Sequence, residues 1–417
     1  MTALPISGSL FKEKWIAFWQ WALLIGFYCI TCGFFVFPGN AGIQSSYYSL
    51  IVIPLFMLLP ITRPQTLPWR SIGVFLLLPI YLATSHFWAD PELSTRPKSS
   101  VFFFKVVLLL FLLAIAIQFL LESREKLFEH WIKGIAWIGS LSAIIGLSHY
   151  FYINFEALSA GELIRFKGLA WGGDTNRIAM FYLTSVLANA YLITQLDGKL
   201  RHLSICSILP PLLCILLTQS KIPLAILFLV TGVFLISSMR HGNKLIGCFA
   251  VALGIAISAW LAFGTNTFSR VYSFFIRWEL WQEAINQVGD RWLFGNGLNY
   301  RVDIVADNIT FGQAHSFIFD TYRFGGLVSI ALIFTQITYT FTQGLKFLKN
   351  HPSGIFLMVW FSSGVIAALV YSQQPLTRPS YTWFLYWIPM MSILLLSHFY
   401  SSARINSKDN VEAIKQI

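Results

Sequence analysis

The chain has 417 residues, of which 56% are apolar and 11% charged, with a mean hydropathy of +0.65. A soluble chain carries roughly 25% charged residues, so a soluble domain is excluded, and the length leaves room for about a dozen spans of ~20 residues. The formal charge of +11 has to be divided between two sides of a membrane before it says anything about partners; with no basic helix or soluble domain to carry it, nucleic acid is not one of them.

In chain order, apolar segments fall at about 15–37, 44–62, 71–88, 99–121, 131–152, 177–196, 203–219, 222–239, 245–264, 315–343, 355–371 and 381–399. Lipid cannot satisfy open backbone groups, so runs of this length are helices. The fold class is therefore all-α: a polytopic membrane protein of about twelve transmembrane helices, with residues 1–417 forming a single integral membrane domain. The first run follows Lys12 and Lys14 and is too long and aromatic for a cleaved signal, so it is expected to be retained. Cys29 and Cys32 have redox spacing, but inside an apolar span they read as packing residues.

Basic residues set the orientation. With the N-terminus in the cytoplasm, 16 of the 29 Lys and Arg fall in cytoplasmic connections, and both termini are expected inside. The seventh and eighth segments form one apolar run, broken only at Thr218-Gln219-Ser220-Lys221 with Pro223 just after. As one helix of ~35 residues it would be ~52 Å long, well beyond a ~30 Å hydrocarbon core. A tight hairpin is expected there.

The outer side should be poor in Lys and Arg. It nevertheless holds Arg96, Lys98, Arg165, Lys167, Arg177, Lys221, Arg270, Arg277, Arg291, Arg301, Arg323 and Arg378, with Lys105 about two turns into the fourth segment. Snorkelling to headgroups explains any one of these. It explains the set less well, because basic residues occur in almost every outer loop. A convergent basic cavity would suit a multiply charged anion such as a lipid-linked pyrophosphate, with Arg forks giving bidentate contacts.

The one substantial non-membrane stretch is the outer loop 265–314, between the ninth and tenth segments. Phe268, Tyr272, Phe275, Trp278 and Trp281 recur at helical spacing, which suits an interfacial helix carrying Arg277; an aromatic anchor with no chemical role fits the same pattern. Trp292-Leu-Phe-Gly-Asn-Gly reads as a turn at Gly295 and Gly297. His315 then opens the tenth segment, with Asp320, Arg323 and Gly325-Gly326 behind it. A His at a helix mouth can titrate near neutral pH and accept a hydroxyl proton; the competing reading is an interfacial, hydrogen-bonding His. His86 and His149 lie on the same side, and Asp90, Glu92 and Asp174 are alternative bases or partners for neighbouring Arg and Lys. The sequence has no Walker loop, no Cys/His metal cluster and no DxD-type pair. That favours an already activated donor whose leaving group is stabilised by Arg and Lys alone, with no metal and no cofactor.

Three stretches resemble the O-antigen ligase/polymerase superfamily of bacterial inner membranes. Leu216-Leu-Thr-Gln-Ser-Lys-Ile is similar to a Thr-x-Ser-Arg signature at a helix hairpin. Arg277-Trp-Glu-Leu-Trp-Gln-Glu through Leu293-Phe-Gly-Asn-Gly is the second, and His315-Ser followed by Arg323-Phe-Gly-Gly-Leu the third. The layout of about twelve helices, with a large outer loop between the ninth and tenth, also fits. Lys221 departs from the family's Arg, keeping the charge but losing the fork.

The resemblance implies a metal-independent glycosyltransferase of the GT-C type in the bacterial inner membrane, inverting at the anomeric carbon, and makes the outer loop 265–314 periplasmic. It would move a glycan from undecaprenyl pyrophosphate to an acceptor, which in the ligase branch is a sugar hydroxyl on lipid A–core. By matching motifs, His315 would activate that hydroxyl while Arg277 and Lys221 neutralise the pyrophosphate, with Arg96, Arg165, Arg323 and Arg378 as further basic contacts. Polymerases and protein O-oligosaccharyltransferases share these motifs; the chain's size and Leu-Thr-Gln-Ser hairpin favour the ligase. A lipid or anion transporter is the reading from a different class. It would place charges opposite one another at mid-membrane depth, whereas here they crowd one face.

Overall fold

The computed structural model describes residues 6–64, 66–90, 92, 98–124, 126–162, 164–169, 174–229, 254, 267–300, 302–307, 309–370 and 375–415. The protein is an all-α, multi-pass membrane protein. Among the described residues, nine helices are long and apolar enough to cross a bilayer, and Gly354–Val370 is a shorter apolar helix. Together these occupy ten of the twelve expected segments. The segments expected at 222–239 and 245–264 lie, apart from residues 222–229 and Gly254, outside the described residues.

The helices are α1 (Ile6–Cys32), α2 (Asn40–Tyr47), α3 (Ile53–Leu58), α4 (Trp69–Ser85), α5 (Ser100–Ser123), α6 (Leu127–Ile153), α7 (Phe155–Ser159), α8 (Thr175–Gln195), α9 (Gly198–Ser207), α10 (Leu209–Thr218), α11 (Thr267–Asn286), α12 (Phe317–Asn350), α13 (Gly354–Val370) and α14 (Ile388–Lys415). Prolines shape them. A π turn at Tyr48–Val52 ends two residues before Pro54, and another at Trp383–Trp387 ends two residues before Pro389. A proline ring clashes with the carbonyl four residues back, and a widened turn makes room for it. Pro79, inside α4, instead leaves the Phe75 carbonyl without its helical donor. Gln336 of α12 supplies one, its Nε2 donating to that oxygen at 2.7 Å. Orphaned backbone groups at membrane depth are satisfied in this way by neighbouring helices.

Lipid gives helices no hydrophobic reason to associate, so close packing and interhelical hydrogen bonds hold the bundle together. Trp131, Trp360, Trp383 and Trp387 are among its largest fully buried side chains. α6 packs on α8 and α10, and α12 on α4, α13 and α14. Ser185 and Asn189 of α8 both donate to the Ala136 carbonyl of α6, and Ser140 of α6 donates to the Ser207 carbonyl at the end of α9.

The loop before α12 is built in two parts. In α11, Leu280 and Ala284 turn inward to form a small core with Ile304, Ala306 and Ala314, while Phe275 and Trp278 stay exposed. Trp281 stacks on Phe319 at 5.0 Å. The predicted amphipathic helix is present, with Phe275 and Trp278 on its exposed face and Leu280 and Ala284 on its buried one, but Trp281 turns inward against Phe319. A short antiparallel hairpin, β1 (Ile304–Ala306) with β2 (Ile309–Phe311), was not anticipated.

The Trp292-Leu-Phe-Gly-Asn-Gly turn docks on a break in α12. Gly326 has φ +59° and ψ −159°, so α12 is two helices meeting there. The carbonyls of Arg323 and Phe324 accept from Asn296 and Gly297 at 2.8 Å each, and the amides of Leu327 and Val328 donate to Trp292 and Leu293 at 2.9 and 3.1 Å. The backbones meet so closely that a Cβ on Gly326 would stand 2.4 Å from the Leu293 carbonyl. Two motifs separated in sequence thus repair one helix break.

Candidate active site

His315 sits one residue ahead of the Ser316 N-cap of α12, with φ +50°. A non-glycine residue in the left-handed region costs about 1–3 kcal/mol and persists only where its surroundings fix it. Here both neighbours are fixed. The Ala314 amide donates to Asp320 Oδ1 at 3.0 Å, and the Ser316 hydroxyl caps Phe319 N at 3.5 Å. The imidazole packs edge-on to Phe311 of β2, with centroids 5.6 Å apart. Burial lowers its pKa below the ordinary 6.5, Arg277 lowers it further, Asp174 opposes, and Arg177 adds to the lowering. At neutral pH the ring is therefore neutral and able to accept a proton.

The charges acting on His315 come from two distant parts of the chain. Arg277 is carried by α11, and its Nη1 donates to the Val370 carbonyl at the end of α13, 3.1 Å away. Asp174 caps α8 by accepting from the Arg177 amide, and its carboxylate pairs with Arg177 Nε at 2.6 Å. Arg177 lies 4.3 Å over the ring of Tyr381. Burial raises the Tyr381 pKa against the lowering pull of Arg177, so its phenol stays protonated. The structure thus brings Arg177, Asp174 and Tyr381 into the His315 group. The first two were noted in the sequence as an outer basic residue and a loop acid; Tyr381 was not singled out. An Asp-x-x-Arg at a helix start was the available signal.

The apolar run breaks at Thr218–Lys221, where a hairpin was expected; the second arm beyond residue 229 lies outside the described residues. α10 ends at Thr218, Gln219 takes a left-handed conformation (φ +54°), and residues 221–229 are again helical. The last carbonyls of α10 are all used: Leu216 accepts from Gln219 N, Leu217 from Phe166 N, and Thr218 from Arg165 Nε at 2.9 Å. Arg165 Nη2 also donates to Thr175 Oγ1 at 2.8 Å, and Ser220 Oγ donates to Asn176 Oδ1 at 2.6 Å. The break is thereby tied to the start of α8, beside the Asp174–Arg177 pair, and it carries an exposed Lys221.

The remaining candidates are placed differently. Arg323 is 1% exposed. Its Nη2 donates to the Val302 carbonyl at 2.6 Å, and its Nη1 lies 3.5 Å from Asp320 Oδ1. It is enclosed beneath the loop and braces the residue that fixes His315. Arg378 is exposed and lies 5.1 Å over Phe102, a ring it shares with Lys98 at 4.5 Å. That sets it on α5, three residues from Tyr381 in the chain. Arg96 lies outside the described residues. Among the other acids, Asp90 accepts from the Glu92 amide in a local turn. Among the described residues, no group of three or more His, Cys, Asp or Glu could hold a metal ion.

Fold and site together define a multi-pass membrane protein that gathers Arg residues, one neutral imidazole and two ion pairs at a single end of its bundle. Over 396 residues, 90% of this chain and 91% of the other, it is 24% identical to the protein named O-antigen ligase of Pseudomonas aeruginosa. That end-to-end relationship, at modest identity, bears out the resemblance to the O-antigen ligase family. No family model matches the chain, and no solved structure matches it.

Proposed function

We propose that the chain is an O-antigen ligase: a GT-C-type, inverting glycosyltransferase of the bacterial inner membrane that acts on the periplasmic side without a metal or cofactor. The donor is a glycan on undecaprenyl pyrophosphate and the acceptor a sugar hydroxyl of lipid A–core. The observation that carries this reading is His315, locked at the mouth of α12 and kept neutral by burial and by Arg277. The whole chain is a single membrane domain, both termini are cytoplasmic, and the 265–314 loop is periplasmic.

In the reaction, the imidazole of His315 takes the proton of the acceptor hydroxyl as its oxygen attacks the anomeric carbon. The bond from that carbon to the pyrophosphate oxygen breaks, and undecaprenyl pyrophosphate leaves. Arg277, Arg177 and Lys221 neutralise its growing charge, and fixed cations near a low-dielectric boundary do so more strongly than in water. Arg165 holds the Lys221 turn in place and has further N–H donors for the same anion. Arg323 is a positioning residue acting through Asp320, not an anion contact. The test is deletion of the gene followed by gel analysis of lipopolysaccharide. A ligase deletion leaves core without polymer while undecaprenyl-linked chains persist. Core bearing a single repeat would instead identify a polymerase.

A further inference from the structure

A second concavity lies away from His315, and nothing in the transfer step uses it. It has a volume of about 840 Å³ and lies between the end of α4, with the turn after it, and the Gly289–Arg291 turn of the loop. Small-molecule sites typically enclose roughly 300–1,000 Å³. Three aromatic rings line it, Tyr81, Trp88 and Phe294, together with the charged pair Asp290 and Arg291. The rings stand at angles: Tyr81 and Trp88 are 5.9 Å apart and tilted 53°, and Trp88 and Phe294 are 6.5 Å apart and tilted 73°. Their polar tips are turned into the protein. Tyr81 Oη donates to the Gly325 carbonyl at 2.8 Å, and Trp88 Nε1 to the Phe294 carbonyl at 3.3 Å. What the cavity offers is ring faces, partly exposed at Trp88 and Phe294, beside a carboxylate and a guanidinium on an exposed turn.

We propose that this cavity is a saccharide-binding subsite, in which the C–H faces of sugar rings lie on Trp88 and Phe294 while hydroxyls bond Asp290 and Arg291. A sugar has an apolar face and a polar rim, and this lining matches both. A pyrophosphate would meet one Arg with an Asp beside it, a poor anion site. The cavity is also fixed relative to His315, because its wall is the segment bonded to the α12 break. The nine residues 317–325 separate that break from the helix mouth, about 14 Å at 1.5 Å per residue. That is the reach of a few sugar units, so a chain reacting at His315 would have sugars further along it at this cavity. The assignment rests on the glycosyl-transfer reading.

The experiment measures binding by the full-length protein in sugar-free nanodiscs, using saturation-transfer NMR. Two probes are used: core oligosaccharide released from lipid A by mild acid, and polymer released by mild acid from its undecaprenyl carrier. At least one probe is expected to bind wild type, and to bind His315→Ala equally. Trp88→Ala and Asp290→Asn should weaken it about tenfold or more, as loss of a central aromatic contact does, with Trp88→Phe restoring part of it. The probe that binds tells acceptor from donor. Absence of binding by both probes, or equal binding in Asp290→Asn and Arg291→Gln at unchanged melting temperature, would overturn the subsite. The deletion phenotype does not enter this readout, so the two readings fail separately.

Discussion

The Oδ1 atom of Asp320 accepts the Ala314 amide at 3.0 Å and lies 3.5 Å from Arg323 Nη1, so one buried carboxylate fixes the residue before His315 and neutralises a buried guanidinium. Asp320→Ala removes both partners and leaves Arg323 uncompensated, a loss of about 3–5 kcal/mol for a buried pair. Asp320→Asn keeps an acceptor for Ala314. The alanine variant should express poorly or melt much lower than wild type, and the asparagine variant should fold with a smaller loss. Equal melting temperatures for all three would remove the clamp from the account.

The pH dependence follows from the charges around His315. Burial and Arg277 hold its pKa below 6.5, so the folded state disfavours the proton. The resulting stability is present above 6.5 and is lost as pH falls through the lower, folded value. Activity that needs the neutral ring should therefore show an acid limb centred below pH 6.5. Arg277→Gln should shift that limb to higher pH, whatever it does to the maximum rate, and Asp174→Asn should shift it to lower pH. Limbs that stay put in both variants would mean that another group titrates.

Gly326, at φ +59° and ψ −159°, holds a backbone conformation essentially open only to glycine, which costs a residue with a Cβ about 1–3 kcal/mol, and a Cβ there would also meet the Leu293 carbonyl at 2.4 Å. Gly326→Ala should displace the 292–297 turn and lower thermal stability by more than Gly161→Ala, whose φ is +82° with nothing within 4 Å. Comparable losses in the two would show that backbone conformation alone matters.

Lys221 stands on the turn that Arg165 and Asn176 tie to α8. If its charge meets the pyrophosphate, Lys221→Arg should keep or improve transfer and Lys221→Ala should lose most of it. Equal rates in all three would reduce it to an anchor. For topology, Ser220, Asn296 and Ser316 are too buried to label. In a cysteine-free background, Asp290→Cys and Glu156→Cys should react with an impermeant thiol reagent from the periplasm and Lys199→Cys should not. Labelling of Lys199→Cys alone would invert the orientation.

Much of this was legible in the sequence because a bilayer enforces it. Uninterrupted apolar runs have to be helices, and the polar break at Thr218–Lys221 had to interrupt one. The glycines at 295 and 297 announced a turn, but Gly325-Gly326 lay inside an apolar run read as one helix, and nothing local revealed that the helix breaks there and completes the turn's hydrogen bonds. Arg323 looked like its neighbours in a basic set, since burial is a tertiary property. The Asp174–Arg177–Tyr381 group joins residues about 200 positions apart, so only its Asp-x-x-Arg half could be read. The hairpin at 304–311 had an alternating buried–exposed–buried strand but was too short to stand out from the loop.

The central claim is that His315 removes the proton of the acceptor hydroxyl without help from a metal. It is tested most directly by reconstituting wild type and His315→Ala with undecaprenyl-pyrophosphate-linked glycan and lipid A–core, and measuring the transfer rate with and without EDTA. The predicted result is a loss of roughly 10²–10⁴-fold in His315→Ala, the size of general base catalysis, at unchanged melting temperature, with wild type indifferent to EDTA. Normal transfer by a well-folded His315→Ala would contradict the mechanism, and loss of wild-type activity in EDTA that Mg²⁺ restores would contradict its metal-free half.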